Sequence, residues 1–257
     1  MIEKIKELIK KKNKRPIVCL TSYSFNISSI LDKYCDLILV GDSVSNVLYG
    51  MKNTHKLTLE MIIEHTKSVK SKIAKNLLVV DMPKGTYGNS KLALKNAKKI
   101  IKETKCDAVK IENYRNNHKI IEKLVKSKIN VMGHIGYTPQ YKSKFKIQGN
   151  SKTSAKQLLK EAKLIEKAGA FCIVLECIET NISKKITEFL KIPTIGIGSS
   201  KYCDGQILVT DDILGLSGFH PRFVKKYVNI KKYIEKAIQK YSKEVLNKQF
   251  PKKKHSF

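Results

Sequence analysis

The sequence predicts a single (β/α)₈ barrel with an extra helix at each end, and three observations lead to this fold class. The chain has 257 residues, about the usual size of one such barrel. Eight short apolar runs alternate with longer amphipathic stretches. Most of the runs are continuously apolar, as expected for parallel strands covered on both faces.

The apolar runs predict eight strands. They are residues 17–21, 37–40, 77–81, 108–111, 129–133, 171–176, 194–196 and 207–209. A doubly wound sheet is the main alternative to a barrel. No G-x-G-x-x-G follows the first strand, which disfavours the dinucleotide-binding version of that alternative.

The amphipathic segments between the strands predict helices. They cover residues 59–73, 91–102, 117–126, 155–168 and 182–190, with further helices outside the repeat at 2–11 and 225–246. Thr58 and Ser90 are the predicted N-caps of the first two. Gly169 is the predicted terminator of the fourth.

Composition excludes several other classes of protein. No apolar run approaches the ~20 residues that span a bilayer, and the first residues lack the pattern of a secretory signal. We therefore expect a cytoplasmic protein without a membrane partner. The six cysteines form no C-x-x-C motif, so we expect reduced thiols rather than a disulfide framework.

The net charge of +29 raises the question of nucleic-acid binding. The basic residues are mostly lysines spread over the solvent side of every helix, without aromatic interleaving. This pattern is more typical of a solvated surface, and we expect no nucleic-acid partner. We expect one domain over residues 1–257, with a disordered basic tail at 249–257.

Carboxylates end four of the predicted strands. Asp42 and Glu112 directly follow the second and fourth strands, and Asp81 and Glu176 end the third and sixth. Strand ends of this kind converge on one mouth of a barrel. Grouped carboxylates repel one another unless a cation neutralises them, and oxygen ligands favour Mg²⁺. The alternative is that each acid caps a helix or lies in a loop.

Two other side chains are predicted to face the same mouth. Lys110 lies two residues before Glu112 and shares its side of the strand. It either binds the carboxylate of an acidic substrate or balances a neighbouring acid. His134, between Gly133 and Gly136, either donates a hydrogen bond to a substrate oxygen or orients another residue. It has no partner at metal-ligand spacing.

Six segments taken together resemble the 3-methyl-2-oxobutanoate (ketopantoate) hydroxymethyltransferase family, from about residue 16 to residue 223. They are Gly41-Asp42-Ser43, Asp81-Met82-Pro83, Val109-Lys110-Ile111-Glu112, Gly133-His134-Ile135-Gly136-Tyr137-Thr138-Pro139-Gln140, Val174-Leu175-Glu176 and Ile195-Gly196-Ile197-Gly198 followed by Cys203-Asp204-Gly205-Gln206. One such segment would be weak evidence, but six in the same order are specific.

The resemblance implies a barrel of the phosphoenolpyruvate/pyruvate superfamily and an early step of pantothenate and coenzyme A synthesis. The implied reaction transfers a hydroxymethyl group from the co-substrate 5,10-methylenetetrahydrofolate to 3-methyl-2-oxobutanoate through a Mg²⁺-stabilised enolate. The product would be 2-dehydropantoate, and the assembly a homodecamer.

The resemblance also implies roles for individual residues. Asp42, Asp81 and Glu112 would surround Mg²⁺. Ser43 and Lys110 would contact the oxo acid together with Asp42 and Asp81. Glu176 would accept the proton.

The sequence departs from the usual family pattern at Val44-Ser45-Asn46, Met82-Pro83-Lys84 and Ser199-Ser200. These departures concern the folate side and catalytic efficiency rather than the carboxylates. The alternative function is a related Mg²⁺-dependent lyase or mutase that acts on a 2-oxo acid.

Overall fold

The computed structural model of the chain describes residues 2–142, 145–218 and 221–257. These residues form two compact units, of which the first ends at Val209 and the second spans Thr210–Phe257. No described helix has the length and apolar character needed to cross a bilayer.

The first unit is a closed barrel of parallel strands that pair in chain order, with the last strand returning to the first. The strands are β1 (Ile17–Thr21), β2 (Leu37–Val40), β3 (Leu77–Asp81), β4 (Ala108–Glu112), β5 (Val131–Gly136), β6 (Cys172–Glu176), β7 (Thr194–Ile197) and β8 (Gly205–Leu208). The predicted (β/α)₈ fold is confirmed.

Helices connect the strands and cover the outside of the barrel, except for the first helix, which precedes β1. They are α1 (Glu3–Lys10), α2 (Phe25–Leu31), α3 (Val44–Val47), α4 (Leu59–Lys70), α5 (Ser90–Thr104), α6 (His118–Lys126), α7 (Lys152–Lys167) and α8 (Thr180–Phe189), with a 3₁₀ turn at Thr54–Lys56. The sequence did not predict α2 and α3, because both are too short to show a clear amphipathic period.

The second unit contains α9 (Thr210–Ile213), α10 (Ile230–Leu246) and a 3₁₀ turn at Lys253–His255. Helix α10 begins five residues after the predicted start at residue 225. The expectation that residues 1–257 form one domain with a disordered tail stays a prediction.

Two predicted strands are misplaced by about two residues. Strand β8 begins at Gly205 rather than 207 because Gly205 packs on β1, where a Cβ atom would lie 2.5 Å from the carbonyl oxygen of Ile17. Strand β5 continues past Gly133, since His134 pairs with Glu112 of β4 and with Val174 of β6. In both cases the neighbouring strands decide the limits.

Helix caps agree with the prediction in part. The Thr58 side chain accepts a hydrogen bond from the Met61 amide at 3.2 Å, and Gly169 follows α7 with a φ of +89°. The Ser90 cap is wrong, because Asn89 accepts from the Leu92 amide at 2.9 Å. Asparagine is at least as good a cap as serine, so Ser90 becomes the first helical residue.

Successive side chains of each strand point alternately into the barrel and toward the helices, so the core has two layers. Leu37 and Leu39 belong to a cluster inside the barrel, whereas Ile38 and Val40 belong to the layer under the helices. Ile5 and Leu8 of α1 join the inner cluster. Helix α1 thus covers the amino-terminal end of the strands, and the carboxyl-terminal end is where polar side chains gather.

Candidate active site

The interior of the barrel changes from apolar to charged toward the carboxyl ends of the strands. In β4, Ala108 lies in the inner apolar cluster, so the same face carries Lys110 and Glu112. By the same alternation Asp81, His134 and Glu176 point inward in β3, β5 and β6. Strands β3 to β6 therefore deliver charged or ionisable groups to one mouth.

Asp42, Asp81 and Lys110 are joined directly. The Asp42 backbone amide donates to Oδ2 of Asp81 at 2.9 Å, and Lys110 Nζ donates to Oδ1 of Asp81 at 2.7 Å. All three residues are buried. Lys110 thus pairs with Asp81 across neighbouring strands, and it does not balance Glu112 alone.

Glu112 lacks part of its hydrogen bonding. Its Oε2 accepts from the backbone amide of Gln140 at 3.1 Å, but Oε1 is buried without a hydrogen-bond partner among the described residues. The nearest ring nitrogen, Nδ1 of His134, lies 3.7 Å away. Glu112 therefore keeps an acceptor that faces no donor.

His134 lies between Glu112 and Glu176. Its Nε2 is 3.1 Å from Oε2 of Glu176, although the alignment is too poor for a hydrogen bond. Burial, with the nearby charge of Lys110, holds the pKa of His134 well below its usual value. The ring is therefore neutral near pH 7 and separates the carboxylate of Glu176 from that of Glu112.

The carboxyl groups are poorly solvated and repel one another. Burial and the charge of Asp81 raise the pKa of Asp42 to about 7. Burial raises the pKa of Glu176 to about 8 and, with the charge of Asp42, that of Glu112 well above its usual range. Burial alone would lower the pKa of Lys110, but the charges of Asp81 and Asp42 raise it. The cluster therefore has too little positive charge.

A divalent cation would relieve this imbalance, and the donor set suits one. The candidate ligands are carboxylate oxygens, one of which has no partner, and hard cations prefer such ligands. Within the described ranges no three His, Cys, Asp or Glu side chains already converge as metal ligands. Coordination by three of these side chains would therefore require side-chain rotation.

Ser43 lies at the same mouth, directly after Asp42. Its Oγ is 2.6 Å from the hydroxyl of Tyr23, and it occupies the N-cap position of α3. None of Asp42, Asp81, Glu112 and Glu176 caps a described helix. This excludes capping as the reason for the acids at the strand ends.

The end of β5 is held tightly against Glu176. Gly136 has a φ of +100°, and a Cβ atom there would lie 2.1 Å from the Glu176 carbonyl oxygen. The next amide, that of Tyr137, donates to this oxygen at 2.8 Å. Only glycine allows this close approach and this φ. Gly136 therefore fixes the turn that leads from β5 into the segment that contains Gln140.

Sequence reasoning missed the contribution of Gln140 and Tyr87. Gln140 Nε2 donates to Oδ2 of Asp42 at 3.0 Å, and the Tyr87 hydroxyl donates to Oε1 of Gln140 at 2.5 Å. Gln140 belongs to a recognised segment, but its position after Pro139 gave no sign of a contact with Asp42. Nothing in the sequence around Tyr87 indicated a place in the site.

Comparisons with known proteins identify relatives of this chain. The profile of the ketopantoate hydroxymethyltransferase family matches residues 3–253. The chain is 54% identical to the 3-methyl-2-oxobutanoate hydroxymethyltransferase of Pelagibacter ubique (strain HTCC1062), with all of both chains covered. It is 48% identical to that of Clostridioides difficile (strain 630), over 93% of this chain and 89% of the relative.

Solved structures with a similar fold include other enzymes. Phosphonopyruvate hydrolase in complex with oxalate and Mg²⁺ matches with a TM-score of 0.64 at 11% identity, over 99% of this chain and 93% of that chain. A 2,3-dimethylmalate lyase of the PEP mutase/isocitrate lyase superfamily matches with a TM-score of 0.60 at 10% identity, over 98% and 90%. At such identities the likeness concerns the fold.

The family profile covers nearly the whole chain, and the sequence relatives cover it at up to 54% identity. The chain belongs to the ketopantoate hydroxymethyltransferase family.

Proposed function

We propose that the chain transfers a hydroxymethyl group from 5,10-methylenetetrahydrofolate to 3-methyl-2-oxobutanoate, giving 2-dehydropantoate, through a Mg²⁺-stabilised enolate. The family and the names of the relatives support the reaction. The observation that carries the proposal is that the acidic residues at the mouth form two separate groups. Asp42, Asp81 and Lys110 are linked by hydrogen bonds, whereas Glu176 lies apart from them, beside His134.

Asp42, Asp81 and Glu112 would hold the Mg²⁺ ion. The raised pKa values of Asp42 and Glu112 and the unpaired Oε1 of Glu112 support this assignment. When bound, Mg²⁺ supplies positive charge near the oxygens of the 2-oxo acid and stabilises the negative charge that develops on them. The three carboxylates would keep that charge inside the barrel mouth.

Lys110, Ser43, Asp42 and Asp81 would contact the oxo acid. Lys110 is buried, and its raised pKa keeps it charged, so it can bind a substrate carboxylate. The Ser43 hydroxyl can donate to a substrate oxygen. His134, held neutral by burial, can donate one hydrogen bond without adding positive charge.

Glu176 would accept the C3 proton of the oxo acid. Burial raises its pKa to about 8, which makes the deprotonated carboxylate a stronger base than an exposed one. Its side chain is 14% exposed, so it remains reachable from the mouth. His134 Nε2, 3.1 Å from this carboxylate, is close enough to donate to it once the two groups are aligned.

The rest of the reaction follows from atom balance. Removal of the C3 proton leaves the electron pair with which C3 forms a bond to the methylene carbon of the folate, and the two bonds from that carbon to nitrogen break. One water molecule supplies the hydroxyl group of the product. The C3 proton and the second water proton end on the two nitrogens of the tetrahydrofolate that leaves. We further propose that the chain works as a homo-oligomer, a decamer by its family resemblance, without a nucleic-acid or membrane partner.

The test is turnover with the three components together. We expect 2-dehydropantoate only when 3-methyl-2-oxobutanoate, methylenetetrahydrofolate and Mg²⁺ are all present, as detected by mass spectrometry. We expect Asp81→Asn to lose Mg²⁺ binding in calorimetry while circular dichroism shows an intact fold. Ile186→Val, a buried change in α8, is the matched control and keeps both properties.

Two outcomes would contradict the proposal. Unchanged Mg²⁺ affinity in Asp81→Asn would exclude the carboxylate site. Consumption of a 2-oxo acid without folate, by cleavage or rearrangement, would favour the lyase or mutase alternative.

A further inference from the structure

Gln140 contacts more of the carboxylate cluster than any sequence feature indicated. Its backbone amide donates to Glu112 Oε2 at 3.1 Å. Its side-chain Nε2 donates to Asp42 Oδ2 at 3.0 Å and to the carbonyl oxygen of Met82 at 3.1 Å. The residue is 1% exposed. Two of the three candidate metal ligands therefore share one neutral hydrogen-bond donor residue.

Asp42 and Met82 determine which way the Gln140 amide points, and Tyr87 supplies a donor to its oxygen. The Tyr87 hydroxyl donates to Gln140 Oε1 at 2.5 Å, and the whole Tyr87 side chain is buried. If the amide were reversed, Oε1 would face two other acceptors, Asp42 Oδ2 and the Met82 carbonyl. Such a contact repels. The only arrangement with every donor facing an acceptor directs the NH₂ group toward Asp42.

A neutral donor has a specific advantage at this position. Lys110 stabilises Asp81 with a full positive charge, which opposes the approach of a cation. Gln140 stabilises Asp42 and Glu112 by hydrogen bonds alone and leaves their negative charge in place. It also engages one oxygen of each carboxylate, so that Asp42 Oδ1 and Glu112 Oε1 are left for another partner. Partners of this kind orient metal ligands and tune their affinity.

We infer that Gln140, held in place by Tyr87, is a positioning residue that leaves one oxygen of Asp42 and one of Glu112 available to a divalent cation. This inference rests on the metal site of the proposed function. The loop after β5 thus sets the affinity for the metal, although neither Gln140 nor Tyr87 is a ligand. The role predicts a loss of metal affinity that is separable from a loss of fold.

The test measures Mg²⁺ alone, without substrates, by calorimetry on the full chain at one pH. Gln140→Met keeps the length and removes all three side-chain hydrogen bonds, two donated by Nε2 and one accepted by Oε1. We expect an approximately 10- to 100-fold weaker affinity. Tyr87→Phe keeps the ring and removes the hydroxyl, and we expect a smaller loss in the same direction. Ile186→Val, the packing control, keeps the wild-type affinity.

Turnover provides a second readout. Saturating Mg²⁺ should restore most of the kcat of Tyr87→Phe, with the KM for the oxo acid little changed. A merely structural role would lower kcat at every Mg²⁺ concentration. If Gln140→Met fails to fold, Tyr87→Phe decides the question.

Wild-type Mg²⁺ affinity in a folded Gln140→Met or in Tyr87→Phe would overturn the inference while the proposed function stands. A wild-type chain that binds no Mg²⁺ would overturn the proposed metal site and the inference with it.

Discussion

Two buried lysine–aspartate pairs lie at opposite ends of the barrel, and they have almost the same geometry. Lys110 and Asp81 are 2.7 Å apart at the mouth, with side chains 7% and 4% exposed. Lys12 and Asp204 are also 2.7 Å apart near the amino ends of β7 and β8, with side chains 8% and 4% exposed. Distance and burial alone therefore do not distinguish them.

Their surroundings differ. Asp204 also accepts from the Thr194 amide and hydroxyl, and Lys12 also donates to the Thr187 carbonyl oxygen at 2.9 Å. The pair at the mouth shares its space with Asp42 and Glu112, whose pKa values are raised. The Lys12–Asp204 pair closes a satisfied network, whereas the Lys110–Asp81 pair belongs to a cluster with excess negative charge. Excess charge, rather than the pair itself, marks the candidate site.

The largest expected effect comes from Glu176→Gln. The amide cannot accept the C3 proton, so we expect turnover to fall by about 10²- to 10⁴-fold. Exchange of the C3 proton of 3-methyl-2-oxobutanoate with deuterated water, followed by NMR, should stop. Mg²⁺ binding should remain. Exchange at the wild-type rate would identify another group as the base.

Replacement of the two lysines should change different properties, stability for Lys12 and ligand binding for Lys110, which tests the comparison directly. Lys12→Met leaves Asp204 buried without its cation, and we expect a loss of about 3–5 kcal/mol in the free energy of unfolding. Mg²⁺ affinity and the KM for the oxo acid should not change. Urea unfolding and calorimetry measure these quantities.

Lys110→Met removes positive charge from the mouth, so we expect tighter Mg²⁺ binding. The KM for the oxo acid should rise about tenfold or more, because a charge-assisted hydrogen bond to the substrate carboxylate is lost. Weaker Mg²⁺ binding in Lys110→Met would mean that Lys110 supports the ligands rather than competing with the cation.

The stability of the metal-free chain should depend on pH through the same cluster. The folded-state pKa of Glu176 is raised from the usual 4.5 to about 8, so the folded state binds its proton more tightly than the unfolded state does. The stabilisation is present below about pH 4.5 and is lost as the pH rises toward 8, by up to about 1.4 kcal/mol per pH unit for each such group.

Mg²⁺ should offset the corresponding loss at Asp42, a candidate ligand whose pKa is raised to about 7, because the ion replaces the proton that this carboxylate releases. We therefore expect the increase in Tm caused by Mg²⁺ to grow between about pH 5 and pH 8. Thermal scans with and without Mg²⁺ measure it. An increase in Tm that is the same at every pH would contradict binding of Mg²⁺ by these carboxylates.

The smallest expected effect concerns the overall charge of +29. A diffuse surface charge should draw in the anionic substrates, so kcat/KM should fall as salt rises while kcat changes little. Binding to ordinary DNA or RNA should be no tighter than about 10⁻⁶ M at physiological salt. Submicromolar binding in an anisotropy titration would contradict this reading.

The sequence by itself determined the barrel and most of the acids at its mouth. Strands that are buried on both faces require continuous apolar runs, and these are visible without any alignment. Period-2 alternation then directs Asp81, Lys110, Glu112 and Glu176 inward, because each shares the parity of an interior apolar residue in its own strand. The family resemblance depends on these same local segments.

Only the tertiary structure decided which of these groups meet. The Lys110–Asp81 pair depends on the register of β3 against β4, and the extension of β5 to Gly136 depends on the strands on either side. The contact between Gln140 and Asp42 joins residues 98 positions apart, and that between Tyr87 and Gln140 joins residues 53 apart. Local patterns carry no information about such partners, because closure of the barrel alone brings these loops together.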